Sequence, residues 1–238
     1  MKRSEINEAL TEMEEFVKNC GFRLPPFCGF TPEEWLGKGK EYDEIRECML
    51  GWDITDYGLG NFGAIGLSLI TIRNGNHALR NRYPKTYAEK LLYLRESQLS
   101  PMHFHWHKME DIVNRGGGNV LIRAYNSTPD EALDVESDVR VHIDGRSIDI
   151  SAGTQVRLKP GESISIFPGM YHDFSVEYGS GPVLLGEVSQ LNDDNSDNRF
   201  LEDIGRFPDI EEDEPPYRLL CNEYPPPDAA GKSPAPDR

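Results

Sequence analysis

The chain has 238 residues, a hydrophobic fraction of 37% and a net charge of −16, from 25 basic against 41 acidic side chains. That length suits one large β-rich domain or two small ones, and so acidic a surface repels a phosphate backbone or an anionic bilayer, which excludes nucleic acid and membrane surfaces as partners. No apolar run approaches the ~18 residues of a spanning helix, MKRSEINEAL lacks the apolar core of a signal peptide, and Cys20, Cys28, Cys48 and Cys221 form no CxxC pair, so a cytoplasmic protein with reduced thiols is expected.

In chain order, residues 4–20 read as an amphipathic helix, with Ser4 as N-cap and Gly21 as stop. Ile6, Leu10, Met13, Phe16 and Val17 share one face, which covers the domain core or a neighbouring subunit. A second short helix begins at Thr31-Pro32-Glu33-Glu34, where Thr31 is the N-cap, Pro32 the first helical residue and Glu34 completes a capping box. Residues 42–50 suggest a third turn or helix, so residues 1–51 form a helical arm.

After Trp52 the texture changes to apolar segments separated by turns. Ala64–Ile72, Ala88–Leu94, Met102–His107, Asn119–Tyr125, Val139–Ile143, Ser147–Ile150, Thr154–Leu158, Ser163–Phe167 and Val183–Ser189 read as strands. Asp144-Gly145, Pro160-Gly161 and Pro168-Gly169 punctuate them. Many short strands at this spacing predict an antiparallel sandwich or barrel over residues 52–224. From about Asp193 the chain turns polar, with Glu-Glu-Asp-Glu at 211–214, and the Pro-rich tail 225–238 is expected to be disordered.

The densest chemistry lies in His103-Phe-His105-Trp-His107-Lys108-Met-Glu110. On a strand His103 and His105 point to one side, and Glu110 at the strand end can curl back toward the same point. Two imidazoles and a carboxylate, with positions left for water or substrate, suit a divalent metal that handles an oxygen-rich ligand. His107 has the right parity but sits at the strand end, where a place at the surface or behind the ligands fits better. His77 lies in the polar turn after Asn74-Gly75-Asn76 and His142 in a hairpin strand, both structural positions.

His103-x-His105-x4-Glu110-x6-Gly117 resembles the first cupin motif, and Pro168-Gly169-x2-His172 resembles the second. The resemblance implies a double-stranded β-helix, a jelly-roll barrel here carrying an N-terminal helical arm, with metal ligands His103, His105, Glu110 and His172. Two family positions differ: Ser97 stands where a glycine is usual and Val176 where an asparagine is usual. A closer likeness joins HFHWHKMEDIVNRGGGNV, PGESISIFPGMYH, GEVSQLNDDNSDNRF and GRFPDIEEDEPP, which together resemble the D-lyxose isomerase family of sugar ketol-isomerases over most of residues 1–224. That resemblance implies a manganese-type cofactor and an aldose–ketose substrate pair. Cupin pairing through N-terminal segments, together with the apolar helix stripe, leads to the expectation of a homodimer.

An aldose–ketose interconversion moves a proton between C1 and C2, so a base must reach both. Glu187 is the first choice, because Leu185, Glu187 and Ser189 share a strand face and a carboxylate facing a barrel interior needs a partner or a task. Glu202, on a polar segment, is its rival. Lys90, on an otherwise apolar strand face, and Lys108, inside the metal motif, are candidates to hold a sugar oxygen or donate a proton; the alternative for Lys90 is a lysine that snorkels to the surface. Trp106, Tyr171 and Phe174 flank the ligands and are assigned to the barrel wall. Arg115 and Gly116–Gly118 read as a tight turn, not a phosphate loop. Two other functions share the same ligand set: a ferrous dioxygenase and a non-catalytic sugar-binding cupin.

Overall fold

The first helix, α1 (Arg3–Asn19), is capped from a distance rather than by its own Ser4. It starts one residue earlier than expected, and the Ser4 N–H and hydroxyl both donate to the Asp213 carboxylate, which supplies an anion where the first turn has unpaired donors. Gly21, in the left-handed region at φ 77°, ends the helix as expected. Its apolar stripe of Ile6, Ala9, Leu10, Met13 and Val17 is fully buried within the one chain, which removes the helix stripe as an argument for pairing. Two short helices follow, α2 (Pro32–Leu36), with the expected Thr31–Glu34 capping box, and α3 (Asp43–Glu47).

The computed structural model describes residues 1–194 and 196–227. Its strands are β1 (Gly51–Thr55), β2 (Leu67–Arg73), β3 (Tyr87–Leu94), β4 (Leu99–Phe104), β5 (Glu110–Gly117), β6 (Val120–Ser127) and β7 (Leu133–Asp134), then β8 (Val139–Ile143), β9 (Arg146–Ile150), β10 (Gln155–Leu158), β11 (Ser163–Ile166), β12 (Tyr171–Val176), β13 (Val183–Gln190) and β14 (Arg199–Phe200). They pair antiparallel into a large sheet ordered β1-β2-β3-β13-β5-β11-β8-β9 and a smaller one ordered β10-β6-β12-β4-β14, with β7 on β6. The two curled sheets form the expected cupin-like β architecture with its N-terminal helix. Among the described residues no helix is long and apolar enough to cross a membrane.

Two apolar layers explain the sequence texture. The inner faces of the sheets enclose Leu69, Leu92, Ile112, Ile122, Ile164 and Leu185, while the outer face of β1, β2, β3 and β13 meets α1 through Ile54, Ile70, Leu91 and Leu184. These strands are covered on both sides and are buried along nearly their whole length, without the alternation of a strand that has one face in water. At the far edge, β9 is exposed along most of its length, and the Asp144-Gly145 turn, with φ 48° and 77°, makes the β8–β9 hairpin as its sequence demands.

Three expectations change. The strand through the histidines ends at Phe104, so His105 lies just past it and Trp106-His107 form a bend. Glu110 does not curl back from that strand but opens β5 in the opposite sheet. Gly116 and Gly117 belong to β5, and the approach there is close: a Cβ on Gly117, at φ 85°, would lie 2.3 Å from the Pro182 carbonyl oxygen. The expected disordered tail falls outside the described residues from 228 onward; before it, the Pro225 carbonyl accepts a hydrogen bond of 2.8 Å from Arg46 Nε.

The acidic run 211–214 binds the start of α1. Arg3, only 2% exposed, donates to Glu212 at 2.6 Å and to Glu223 at 2.5 Å, and Asn7 donates to Glu214. Arg3→Ala would leave Glu223 partly buried without its cation and detach the 211–223 strap. Urea denaturation should show a loss of about 3 kcal/mol, near the low end for a broken buried pair because Glu212 stays solvated. An unchanged midpoint would show that the strap is held by its other contacts.

Candidate active site

Four candidate ligands meet between the sheets. His103 on β4 and His172 on β12 are direct cross-strand partners, and His105 is the first residue past the end of β4. The β4–β12 register shifts between His172 and Phe174, a bulge of the kind that re-aims a side chain beside a site. Gly169, in the Pro168-Gly169 turn, donates its N–H to the His105 carbonyl at 2.9 Å, which ties the two histidine segments together. Glu110 faces them from β5, across the barrel.

The ligand nitrogens of His103, His105 and His172 lie within 4.8 Å of one another. Each ring has its Nδ1 against a backbone carbonyl: Pro101 at 2.8 Å, Asp197 at 2.7 Å and Met170 at 2.9 Å respectively. Those carbonyls accept the Nδ1 proton and leave each Nε2 lone pair aimed inward, as a metal-binding imidazole requires. Burial and the neighbouring His172 and His105 hold the His103 imidazole well below its ordinary pKa, so it stays neutral. Glu110 Oε1 lies 3.2 Å from His172 Nε2, and Glu110 Oε2 lies 3.6 Å from His105 Nε2.

Among the described residues His172 Nε2 makes no directed hydrogen bond, and with its proton on Nδ1 it faces a second acceptor, Glu110 Oε1, at 3.2 Å. An unmet buried acceptor costs about 1–3 kcal/mol, and a cation at the shared point would satisfy both. The donor set of three imidazoles and one carboxylate therefore fits a divalent first-row metal, without selecting one.

Around this cluster runs a ladder of alternating charge. Lys108, 3% exposed, lies 2.7 Å from Glu110 Oε2 and 2.9 Å from Glu187 Oε1, and donates to Asn192 Oδ1 at 3.2 Å. Lys90 on β3 is the cross-strand partner of Glu187 on β13, with its ammonium 3.8 Å from Glu187 Oε1 and 3.4 Å from Asp194. Arg206 joins Asp194, at 3.3 Å, to Asp53 on β1, at 2.5 Å. Burial pushes the Glu110 carboxyl up, but Lys108 and His105 outweigh it and hold it well below the usual carboxylate range. Burial likewise pulls the Lys108 ammonium down, yet Glu110, Glu187 and Asp194 reverse the effect and raise it. Both groups are therefore charged at neutral pH.

One cavity of about 50 Å³ touches His103, His105, Glu110, Lys108, Lys90 and Glu187 together. Its far wall adds residues that sequence reasoning missed: Tyr57, Ser100, Asp194, Asn198, Phe200 and Arg206. The Tyr57 hydroxyl bonds Ser100 Oγ at 2.7 Å, and burial pushes its pKa up to about 12, so it remains a donor. Arg206 Nη1 is buried and makes no hydrogen bond among the described residues. A partial signal existed, since Asp194 and Arg206 lie in the NDD…DNRF and GRF stretches that carried the family likeness. Asp197 was missed as well: its carboxylate accepts the His107 and Lys108 N–H groups at 3.0 Å and fixes the bend between the two sheets.

The remaining candidates fall elsewhere. Leu185, Glu187 and Ser189 do share the inward face of β13, while Glu202 is exposed and outside the cavity. His107 and His77 line an outer cleft of about 460 Å³ that also reaches Lys108. His142 bonds Ser147 on the β8–β9 hairpin. Phe174 borders the cavity, Tyr171 is turned away to the Glu131 carbonyl, and Trp106 is 39% exposed.

Solved structures of like fold include L-ribose isomerases. That of Acinetobacter sp. DL28 with L-ribose has a TM-score of 0.56 at 14% identity, covering 88% of this chain and 98% of that one. That of Cellulomonas parahominis with L-ribose has a TM-score of 0.55 at 15% identity, covering 89% and 98%. The fold is thus that of the cupin-like sugar isomerases. The family model for D-lyxose isomerase matches residues 1–224, and two relatives named D-lyxose/D-mannose isomerase match over 225 residues. The one from Escherichia coli O157:H7 is 48% identical and the one from Serratia proteamaculans 46%, each match covering 94% of this chain and 98% of the relative. The chain belongs to the D-lyxose isomerase family and is an aldose–ketose isomerase.

Proposed function

We propose that the protein is a metal-dependent isomerase that interconverts D-lyxose and D-xylulose through an enediol, with D-mannose to D-fructose as a second reaction. The observation that carries this reading is a cavity lined by His103, His105 and Glu110 together with the buried Glu187 carboxylate and the Lys90 and Lys108 ammonium groups, with His172 grouped with the two histidines behind it. The names of the two curated relatives support the substrate pair, and lyxose and mannose share their configuration at C2.

In this reading His103, His105, Glu110 and His172 hold a divalent ion, manganese being the candidate that the family likeness implies. When bound it supplies Lewis acidity to adjacent oxygens of the open-chain sugar. Glu187 takes the proton from C2 and returns it to C1 on the same face. Lys108, which donates to Glu187, is placed to hold the developing oxyanion and to pass a proton between O1 and O2. Lys90 sets the field on the other side of Glu187. Arg206 Nη1 and the Tyr57 hydroxyl offer donors to the sugar hydroxyls farther from the reacting carbons.

The test is an anaerobic assay of metal-loaded protein with D-lyxose deuterated at C2. Xylulose should form without oxygen, with part of the label lost to solvent. Turnover only with iron and oxygen would replace this reading with the dioxygenase, and absence of turnover with every divalent metal would remove the metal-dependent isomerase.

A further inference from the structure

Lys90 has two carboxylates to choose from, and the structure places it nearer the one that does no chemistry. Its ammonium, on a side chain 4% exposed, lies 3.4 Å from both Asp194 oxygens but 3.8 Å from Glu187 Oε1. Glu187 already has one close cation, Lys108 at 2.9 Å. A second ammonium drawn into full contact would occupy the remaining lone pairs of the carboxylate that must reach the sugar proton.

Asp194 sits in the irregular stretch after β13, where no ladder holds the backbone, so its position must come from side chains. Arg206 supplies it, with Nη2 at 3.3 Å from Asp194 Oδ2 and 2.5 Å from Asp53 Oδ2. Asp53 is anchored on β1, where its Oδ1 accepts the Ile54 N–H at 2.8 Å. The Asp194 carbonyl accepts from Asn198 Nδ2 at 3.0 Å, which braces the same turn. Burial pushes the Asp194 carboxyl up, but Lys90, Arg206 and Lys108 hold it far below the usual range, so it carries its charge wherever the enzyme works.

We propose that Asp194, fixed by Arg206 and Asp53, is a positioning residue that holds the Lys90 ammonium back from Glu187. The proposal rests on the isomerase reading, in which Glu187 carries the proton. Asp194 acts through Lys90 and needs no contact with the sugar.

The test is a double-mutant cycle on the manganese-loaded enzyme with D-lyxose, built from Asp194→Asn, Lys90→Met and the pair. Residual turnover is followed to low rates by NMR, and thermal melting and metal content serve as controls for folding. Asp194→Asn should lower kcat by about 10–100-fold, the range for loss of an outer hydrogen-bond partner, with KM little changed. Asp194→Glu, which keeps the charge, should recover part of the loss. In the Lys90→Met background Asp194→Asn should cost nothing further. An equal loss in both backgrounds would overturn the proposal, because Asp194 would then act without Lys90. Wild-type kcat in Asp194→Asn would overturn it too. Failure of the isomerase reading shows separately, as absence of lyxose turnover by the wild type, and takes the proposal with it.

Discussion

Glu187→Gln should lower kcat on D-lyxose by about 100- to 10,000-fold, the usual contribution of a positioned general base, and should leave metal content near wild type while lowering the melting temperature, because buried Lys108 then has one neutralising carboxylate instead of two. The amide keeps the shape of the side chain and its Oε1 can still accept from Lys108, now 2.9 Å away. What it loses is the ability to take a proton. The four candidate ligands do not depend on Glu187, because their nearest mutual contacts run through Glu110. Rapid-quench assays of protein with matched metal content check this result. If the variant keeps full activity, Glu187 is not the proton carrier, and exposed Glu202 does not replace it without a large movement of its segment.

The second large effect separates two ligands by what surrounds them. His172→Ala removes an imidazole whose Nε2 makes no hydrogen bond among the described residues, so metal affinity should fall by more than the roughly 10–100-fold expected for an outer partner, and turnover should fall with it. The fold should survive. Glu110→Ala should abolish metal retention and also destabilise the protein, because Glu110 is one of two carboxylates that neutralise buried Lys108. Breaking a buried pair costs about 3–5 kcal/mol; the remaining Glu187 contact places this variant at the low end. Metal analysis after gel filtration and urea denaturation distinguish the two variants. Equal stability in both would mean that Lys108 tolerates a single counter-ion.

The local parts of this account were legible in the sequence and the distant parts were not. His103 and His105 stand two apart and Glu110 five farther on, so a periodicity argument reaches them. The amphipathic α1 and the Asp144-Gly145 hairpin were legible for the same reason. β1 was missed because Gly51–Thr55 is buried on both faces and carries no alternation. β12 was hidden by His172 and Asp173, polar residues whose burial only the barrel explains. β5 was lost because Glu110 was assigned to the preceding strand and glycines at its far end suggested a turn. The ladder beyond Glu187 depends on contacts between residues 104 positions apart, Lys90 with Asp194, and 153 apart, Asp53 with Arg206. No local pattern encodes such pairs. They exist because β1, β3 and the stretch after β13 close on the same end of the barrel.

The same geometry explains why an acidic protein keeps two lysines and an arginine inside. Each cation lies between two carboxylates: Lys108 between Glu110 and Glu187, Lys90 between Glu187 and Asp194, and Arg206 between Asp194 and Asp53. Alternation offsets the desolvation of every member, which an isolated buried charge could not bear.

The central claim is that the histidine–Glu110 cluster holds the ion on which turnover depends. The most direct test is a titration of metal-free protein with Mn²⁺ under anaerobic conditions, with xylulose formation from D-lyxose followed at each step alongside bound metal. The account predicts a rate that rises in proportion to bound ion and levels off at about one per chain. Full turnover by the metal-free protein, or by His103→Ala and His172→Ala without bound metal, would contradict it.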